Sequence, residues 1–218
     1  MPGDRLTRKQ KQAHTRTCLM ESAAKLFARR GLDQASIDDV AAEAGYTKGA
    51  FYANFKNKEE LFLAMLDERF AERLEALEEV LSSDAPPEEQ ARRGGESFVR
   101  YLGADPEWQR MFFEFAAYAA RNEEFREELV TRYRSLRERM AEAFARKMQA
   151  GEVAEEKRRM AMMLFAMSNG IALEKLLEPE AVPDDLYPTM LTIFFTGLHA
   201  LSEAASQPVA AGATGSPD

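Results

Sequence analysis

Apolar residues recur at intervals of three and four along most of the chain, which is the period of an amphipathic α-helix. In the first such segment Leu19, Ala23, Leu26 and Phe27 fall on one face, and Gly31 is placed to end the helix. The sequence contains no alternating runs of β-branched residues bounded by turn residues, which would predict strands. The pattern therefore predicts an all-α protein.

Capping residues and turns divide the rest of the pattern into further helices. Ser36 begins the capping-box-like sequence Ser-Ile-Asp-Asp, Thr47 and Asn57 are placed to cap two more helices, and Ser82–Pro87 ends a long one. The predicted segments are Asp38–Ala44, Lys48–Asn54, a long helix after Asn57, Glu88–Leu102, Pro106–Ala120, Glu123–Ala150, Glu155–Leu177 and Tyr187–Ala205.

Small residues predict two weak points in this helical pattern. Gly94 and Gly95 fall inside the fifth predicted helix and are expected to kink it or to delay its start. Gly151 is placed to end the long middle segment.

Residues 206–218 are rich in Ala, Gly and Pro, which predicts a disordered tail.

Charge is distributed unevenly along the chain, whose formal net charge is −8. Residues 1–58 contain 11 Lys+Arg and six Asp+Glu, a local net of +5, and the remainder carries −13. A basic N-terminal region joined to an acidic body is typical of a polyanion-binding domain linked to a domain with another role. On charge alone, an exposed helix that happens to be rich in Lys and Arg is an equally good explanation.

Composition argues against several other classes of protein. Cys18 is the only cysteine, and with His14 and His199 it cannot form a zinc site of the usual spacing. There is no glycine-rich phosphate loop, GxSxG or HExxH motif, so no catalytic residue, metal or cofactor is predicted and an enzyme is not expected. The longest uncharged stretches, Met160–Leu173 and Leu186–Ser202, fall short of the roughly 20 apolar residues of a membrane span. Without a secretory signal, a cytoplasmic location is expected.

One spacing near the N-terminus has a specific physical use. Ala41 is small where two helices would cross, Gly45 supplies a turn four residues later, and Phe51 would fill the space between the helices. This spacing describes a helix-turn-helix, whose second helix can enter a DNA major groove. An ordinary corner between two helices has the same spacing and stays an alternative at this point.

The sequence GYTKGAFYANFKNKEELF (Gly45–Phe62), within Thr17–Glu68, closely resembles the DNA-binding domain of TetR-type transcriptional regulators. The resemblance covers about a quarter of the chain. It implies a basic arm and a three-helix helix-turn-helix DNA-binding domain in residues 1–58, followed by a helical ligand-binding and dimerisation domain in residues 59–205.

Carried over by position, the resemblance makes Lys48–Asn54 the recognition helix. Lys48 and Gly49 would approach base edges, and Tyr52 and Lys58 would contact phosphates. The hydroxyls of Ser36 and Thr47 would reach the DNA backbone, although helix capping explains them equally well. The implied DNA-binding residues are Ser36, Thr47, Lys48, Gly49, Tyr52, Asn54 and Lys58.

The chain departs from the TetR pattern in three places. Asn54 replaces a common phosphate-contacting histidine and Ala53 a common aromatic residue, so two backbone contacts are expected to weaken or change. Asp38 stands where the tetracycline repressor has a base-contacting arginine, and we expect it to support the start of its helix instead. For Tyr52 an alternative stays open, because an aromatic residue beside Phe51 and Phe55 could belong to the core.

The acidic body contains large, adaptable side chains at helical spacing. Such spacing usually indicates core packing, but the same side chains can line a ligand cavity. The expected ligand-binding residues are Trp108, Met111, Phe112, Phe115, Tyr118, Met163, Met167 and Asn169. The last helix is apolar on more than one face, and the resemblance implies a two-fold homodimer there. The expected interface residues are Met190, Phe194, Gly197, Leu198 and Leu201.

The sequence thus predicts a homodimeric regulator that binds double-stranded DNA at a palindromic operator. We expect a repressor that a small apolar or amphipathic ligand releases from DNA. Control by a protein partner, or no ligand at all, is the alternative. Neither the operator nor the ligand can be identified from the sequence.

Overall fold

The computed structural model describes residues 7–147 and 155–206, apart from the side chains of Asp33, His199 and residues 201–206. This part of the chain forms helices without a strand, which confirms the predicted all-α class. Gly151 and nearly all of the predicted disordered tail lie outside the described residues. The helices are α1 (Arg8–Gln34), α2 (Ile37–Glu43), α3 (Lys48–Tyr52), α4 (Lys58–Ser82), α5 (Pro87–Ala104), α6 (Pro106–Ala119), α7 (Glu123–Lys147), α8 (Glu155–Leu177) and α9 (Leu186–Ser206), with a 3₁₀ turn at Pro179–Ala181.

Side chains cap the starts of α2, α3 and α4 where the sequence predicted caps. Ser36 Oγ accepts a hydrogen bond from Asp39 N–H at 3.1 Å, and the Asp39 carboxylate accepts one from Ser36 N–H at 3.1 Å. Thr47 Oγ1 and Asn57 Oδ1 each accept from the backbone N–H three residues later, at 3.2 and 2.8 Å. These bonds satisfy backbone donors that have no partner within the helix, and they fix where each helix begins.

Gly31 breaks α1 into two helical parts. Its φ of +76° and ψ of 167° are non-helical, the positive φ favours glycine, and a short second part continues to Gln34. The prediction that the first helical part ends at Gly31 is therefore confirmed, with one further turn after it.

A single buried core joins the N-terminal helices to α6 and α7. We call it the N-terminal core: it contains buried apolar side chains of α1, α2, α3 and the first part of α4, as far as Leu66, those of Trp108, Met111, Phe112 and Phe115 from α6, and those of Phe125 and Leu129 from α7. The predicted domain boundary, between residues 58 and 59, falls at the first turn of α4. Packing is continuous across it, because α6 lies against α1.

A second cluster, the C-terminal core, joins α5, α7, α8 and α9. It includes Phe98, Phe144, Leu164 and Tyr187. Among the described helices, α8 alone is long and apolar enough to cross a membrane by length and composition, a test that core helices of soluble proteins also pass. The predicted absence of a membrane contact stays a prediction.

The prediction that Gly94 and Gly95 kink α5 or delay its start was wrong, because α5 begins at Pro87 and is continuous through both residues. A Cβ atom at Gly95 would lie 2.5 Å from Pro188 Cα and 2.7 Å from Pro188 N on α9. A Cβ at Gly94 would lie 3.9 Å or more from its neighbours, which is ordinary contact. The close approach of α5 and α9 therefore requires a glycine at position 95 but not at position 94.

Gly95→Ala should lower the free energy of unfolding by about 1–3 kcal/mol, because the added methyl group meets backbone atoms of α9 that cannot move cheaply. Gly94→Ala is the matched control. It should raise stability by about 0.5–1 kcal/mol, since alanine is the better helix former and the space is free. Urea unfolding of both variants measures the difference. Equal effects of the two substitutions would contradict the assigned packing.

Candidate nucleic-acid interface and internal cavity

Helices α2 and α3 form the predicted helix-turn-helix. Ala41 and Phe51 are buried, at 2% and 0% exposure, and Gly45 adopts a φ of +74° at the turn. Tyr46 N–H donates to the Ala41 carbonyl at 2.8 Å, which closes the turn. A side chain at Gly45 would be strained at this φ although the space around it is open. The small–glycine–apolar spacing is therefore confirmed in the structure.

The two faces of α3 differ sharply in burial. Phe51 and the following Phe55 are at most 1% exposed and pack against each other with ring centroids 5.8 Å apart. On the opposite face Tyr52 is 52% exposed, and Lys48 and Gly49 are also exposed. The alternative that Tyr52 belongs to the core is therefore wrong. One side of α3 packs in the N-terminal core, and the other side is exposed to solvent.

Lys48 and Asp38 form an ion pair on the exposed surface of the helix-turn-helix. Lys48 Nζ donates to Asp38 Oδ2 at 2.8 Å, and this hydrogen bond together with the carboxylate charge raises the pKa of Lys48. Both side chains are more than half exposed, so solvent weakens the pair. Asp38 was expected to support the start of α2. The ion pair gives it a second contact, which positions the Lys48 ammonium on the surface beside α3.

Lys58 and Asn54 point toward the protein. Lys58 Nζ donates to the carbonyls of Leu32 at 2.6 Å and Ala35 at 2.9 Å, so it binds the end of α1. Asn54 Nδ2 donates to the Ala50 carbonyl at 2.8 Å, and its Oδ1 is buried without a hydrogen bond in the described part of the chain. The structure thus places neither side chain among the outward-facing groups of α3.

A cavity of about 740 Å³ lies among α4, α5, α6, α7, α8 and α9. Its wall is mostly apolar, with a few polar side chains, as is usual for a small-molecule site. Of the expected ligand-binding residues, Trp108, Phe112 and Asn169 line it.

The other expected ligand-binding residues do not line this cavity. Met111 and Phe115 are buried in the N-terminal core. Tyr118 donates its hydroxyl to Glu59 Oε1 at 2.9 Å. Met163 is 48% exposed beside a shallow outer surface, and Met167 packs against the C-terminal core. The apolar spacing of α6 predicts a single lining face, but the helix is buried on two sides.

The side of α6 that faces away from the cavity packs against α1 and α4. The rings of Phe115 and Phe62 stack with centroids 3.5 Å apart, and Phe62 also stacks on Trp108 at 5.8 Å. Glu114 Oε1 accepts from Leu32 N–H at 2.5 Å, near the end of α1. Helix α6 therefore forms part of the cavity wall and also supports the helices of the N-terminal region.

Sequence reasoning missed the polar cavity residues on α4 and α6, above all Arg73 and Gln109. A signal for Arg73 was present, since it continues the apolar spacing of Leu66, Phe70 and Leu77 at steps of three and four. A charged residue in register with an apolar stripe indicates a polar group facing the interior.

Three of the expected interface residues of α9, Met190, Phe194 and Leu198, are less exposed than their neighbour Ile193. Phe194 and Leu198 are half-buried against the C-terminal core, and Leu198 also lines the cavity. Met190 is half-buried, Gly197 is exposed, and the side chain of Leu201 lies outside the described residues. Ile193, at 67% exposure, is the most exposed large apolar side chain of α9 among those described.

Two family models match this sequence in order along the chain. The model of bacterial regulatory proteins of the tetR family matches residues 19–65, and the model of the C-terminal domain of BetI-type transcriptional repressors matches residues 86–200. The second match alone covers more than half of the chain. The chain belongs to the TetR family. It is a DNA-binding transcriptional regulator with a helix-turn-helix domain, and TetR regulators are not enzymes.

Relatives and solved structures of the TetR family agree with this assignment. The HTH-type transcriptional activator FasR of Mycolicibacterium smegmatis is 28% identical over 112 residues, 51% of this chain and 49% of FasR. The regulator TtgR of Pseudomonas putida is 41% identical over 59 residues, 27% of this chain and 28% of TtgR. The chain thus spans about half, or less, of the length of these relatives.

Two solved structures share the fold at lower identity. A putative transcriptional regulator from Pseudomonas aeruginosa PAO1 superposes with a TM-score of 0.71 at 19% identity, over 93% of this chain and 97% of that one. FadR from Bacillus subtilis, solved in complex with stearoyl-CoA, gives a TM-score of 0.68 at 19% identity, over 83% and 98%.

Gly49 offers a direct test of whether the exposed side of α3 faces DNA. A Cβ there would meet only Thr47 Oγ1 at 3.7 Å among the described residues, an ordinary contact, so the fold itself does not require glycine. Gly49→Ala should leave the melting temperature unchanged or raised, yet weaken DNA binding at least tenfold, about 1.4 kcal/mol, because the methyl group holds α3 away from the base edges. Fluorescence anisotropy with DNA selected by the wild-type protein measures the loss.

Gly103→Ala is the control for this experiment. Gly103 is exposed in α5, and a Cβ added there would have no described neighbour within 4 Å, so the same change should stabilise the protein without affecting DNA binding. Undiminished DNA affinity of Gly49→Ala would show that this side of α3 does not approach the bases.

Proposed function

We propose that this TetR regulator is a homodimeric repressor that binds a palindromic operator and leaves it when a small apolar or amphipathic molecule enters the cavity. The observation that carries the proposal is the double role of α6. Trp108 and Phe112 form cavity wall, and Glu114 and Phe115 of the same helix contact the DNA-binding helices. A ligand that favours another position of α6 would change the population of DNA-binding dimers.

In the proposed complex α3 lies in the major groove. Lys48 would donate to base acceptors such as those of guanine, Gly49 would allow close approach, and Tyr52 would donate to a phosphate. Ser36 and Thr47 would add backbone contacts from the starts of α2 and α3. These side chains are all exposed on the same helix-turn-helix, which supports the assignment.

For Lys58 and Asn54 the geometry favours a supporting role in this proposal. Two carbonyls of the α1–α2 connection already accept from Lys58, which positions the first turn of α4 against α1. The backbone carbonyl of Asn54 accepts from Arg16 Nη1 at 3.0 Å, and the Arg16 guanidinium lies 4.2 Å from the centre of the Phe55 ring. Both residues would set the orientation of α3 rather than bind phosphate.

Repression is the favoured direction of control because the matched C-terminal model describes repressors of the BetI type. FasR, an activator, shows that related sequences also work in the other direction. The mostly apolar wall favours a small ligand over control by a protein partner alone, since a protein could not enter a cavity of about 740 Å³.

The decisive experiment uses the DNA beside the protein's own gene. A palindromic segment should bind the purified dimer, with half-sites separated by one helical turn, roughly 34–36 Å, or a multiple of it. In transcription assays the protein should lower output, and a molecule extracted from the purified protein or found in a metabolite library should restore it. A rise in output with added protein would indicate an activator. Failure of every small molecule would favour control by a protein partner.

Exposed apolar side chains on α8 and α9 support the homodimer. Six of them are at least 38% exposed, and such residues on consecutive helices are typical of an interface. They are Met162, Met163, Leu173, Leu177, Leu186 and Ile193.

Ile193→Glu should convert the dimer to monomers and abolish operator binding, because the interface would bury an unpaired carboxylate. Ile193 is a sharper probe than Phe194 or Leu198, whose half-buried side chains also support the fold. Thr131→Glu, at an exposed β-branched position of α7, is the matched control and should stay dimeric. Light scattering measures the mass, and circular dichroism checks folding. A folded dimer of Ile193→Glu would mean that this surface is not the interface.

A further inference from the structure

Arg73 is a basic side chain in the cavity wall without an acidic partner. It lies on α4, and no hydrogen bond or ion pair joins it to any other residue that the structure describes. Its guanidinium carbon is 4.5 Å from the ring centre of Phe98 and 5.0 Å from that of Tyr101. The faces of these rings stabilise the positive charge of the guanidinium. They provide no acceptor for its five N–H groups, which point outward in the guanidinium plane.

Other basic groups in the wall have acceptors. Arg69, one turn earlier on α4, forms an ion pair with Asp105, and Lys157 lies 3.8 Å from Glu156. Lys147 donates to the Ser83 carbonyl at 3.0 Å. Of the four basic side chains that line the cavity among the described residues, Arg73 is therefore the one without an acceptor. Burial also lowers the pKa of its guanidinium, although arginine stays protonated at neutral pH.

Gln109 adds a second unpaired donor to the same wall. Only 7% of this residue is exposed, and its Nε2 is buried without a hydrogen-bond partner within the described part of the chain. A buried donor without an acceptor is costly, so the Gln109 amide, in the same wall as the half-buried and unpaired Arg73 guanidinium, indicates that an acceptor belongs there. Among the described residues, four basic and two acidic side chains line the cavity, which favours an anion.

We propose that the effector is an amphipathic carboxylate, with its head group bound by the Arg73 guanidinium and assisted by Gln109, and its apolar tail packed along the rest of the cavity. This inference rests on the proposed effector role of the cavity and adds the chemical class of the ligand. A carboxylate matches the planar fork of one guanidinium with two parallel hydrogen bonds. The side chains available to the tail include Leu77, Phe112, Met140, Met160 and Leu164.

Helix α4 gives this anchor a mechanical consequence. Arg73 and the Lys58 contact with the end of α1 lie on the same continuous helix, with Phe62 between them. A ligand bound to Arg73 therefore acts on the helix that begins in the DNA-binding domain, while its tail contacts Trp108 and Phe112 of α6. Both helices that join the cavity to the DNA-binding domain would respond to one molecule.

The chain contains its own reporter for the test. Trp108 is the only tryptophan and lines the cavity, so ligand entry should change its fluorescence. Decanoate, decan-1-ol and decyl phosphate would be titrated into the full-length dimer, since they share a tail and differ in the head group. Wild-type protein should bind decanoate at least tenfold more tightly than decan-1-ol, as expected for hydrogen bonds to a buried charge.

Arg73→Met keeps much of the side-chain volume and removes the charge. It should abolish the preference for decanoate while leaving the affinity for decan-1-ol within about threefold. Gln109→Leu should reduce the preference less. Arg100→Met, which makes the same change at an exposed position of α5 outside the cavity, is the matched control and should keep the preference. Ligand-free DNA binding and circular dichroism establish that each variant is folded.

The outcomes separate this inference from the proposed function. Equal affinities for decanoate and decan-1-ol in the wild type, or an unchanged preference in Arg73→Met, would overturn the anion site and leave the cavity as an effector site. A preference for decyl phosphate over decanoate would overturn the carboxylate assignment. Absence of a fluorescence change and of calorimetric heat with all three probes would overturn the anion site together with the proposed effector role.

Discussion

The contact between α6 and the helices that carry α3 is the constraint on which the rest of the structure depends. Phe62 at the start of α4 lies between Phe115 and Trp108 of α6, and Glu114 binds the backbone of Leu32 at the end of α1. The Phe62 ring therefore joins α4 to the part of α6 that also forms cavity wall. The DNA-binding domain is thus supported by a helix that belongs, by chain order, to the acidic body.

The Glu114 contact also gives meaning to the turn at Gly31. Glu114 Oε1 would lie 3.0 Å from a Cβ at Gly31, so glycine allows the carboxylate to reach Leu32 N–H as well as permitting the positive φ. The last turn of α1, Lys58 and α6 therefore meet at one place. Here a backbone feature that looked like a simple helix end is part of the junction between the two regions of the chain.

Sequence patterns were sufficient where the determinants are local. The caps at Ser36, Thr47 and Asn57 depend on a side chain and a backbone N–H three residues away, and all three form. Likewise α8 begins and ends where its apolar spacing and flanking residues predicted. Such features need no knowledge of which other segment packs against the helix.

The same reasoning failed where the answer depends on a distant partner. Periodicity showed that Trp108, Met111 and Phe115 are buried, but it could not show that only the first faces a cavity. The Gly94–Gly95 pair looked like a helix breaker because propensity is local, whereas the need for Gly95 comes from Pro188 nearly a hundred residues later. The resemblance likewise identified Lys58 as a candidate for phosphate contact, but it could not show that the Lys58 ammonium binds two backbone carbonyls of the protein.

A tightly packed junction also determines how a signal can cross it. Protein interiors are packed as densely as organic crystals, so the stacked rings of Phe62 and Phe115 cannot deform gradually to absorb a shift of α6. Instead α6 and the end of α1 must move together or exchange one packed arrangement for another. In the proposed mechanism, a ligand that moves the protein from almost fully DNA-competent to almost fully released must prefer the released state by about 5.5 kcal/mol. Contacts with the apolar wall alone would be similar in both states, whereas hydrogen bonds of fixed geometry to α4 would differ between two positions of α4 relative to α6. The Arg73 guanidinium is therefore better placed than the apolar wall to supply that difference.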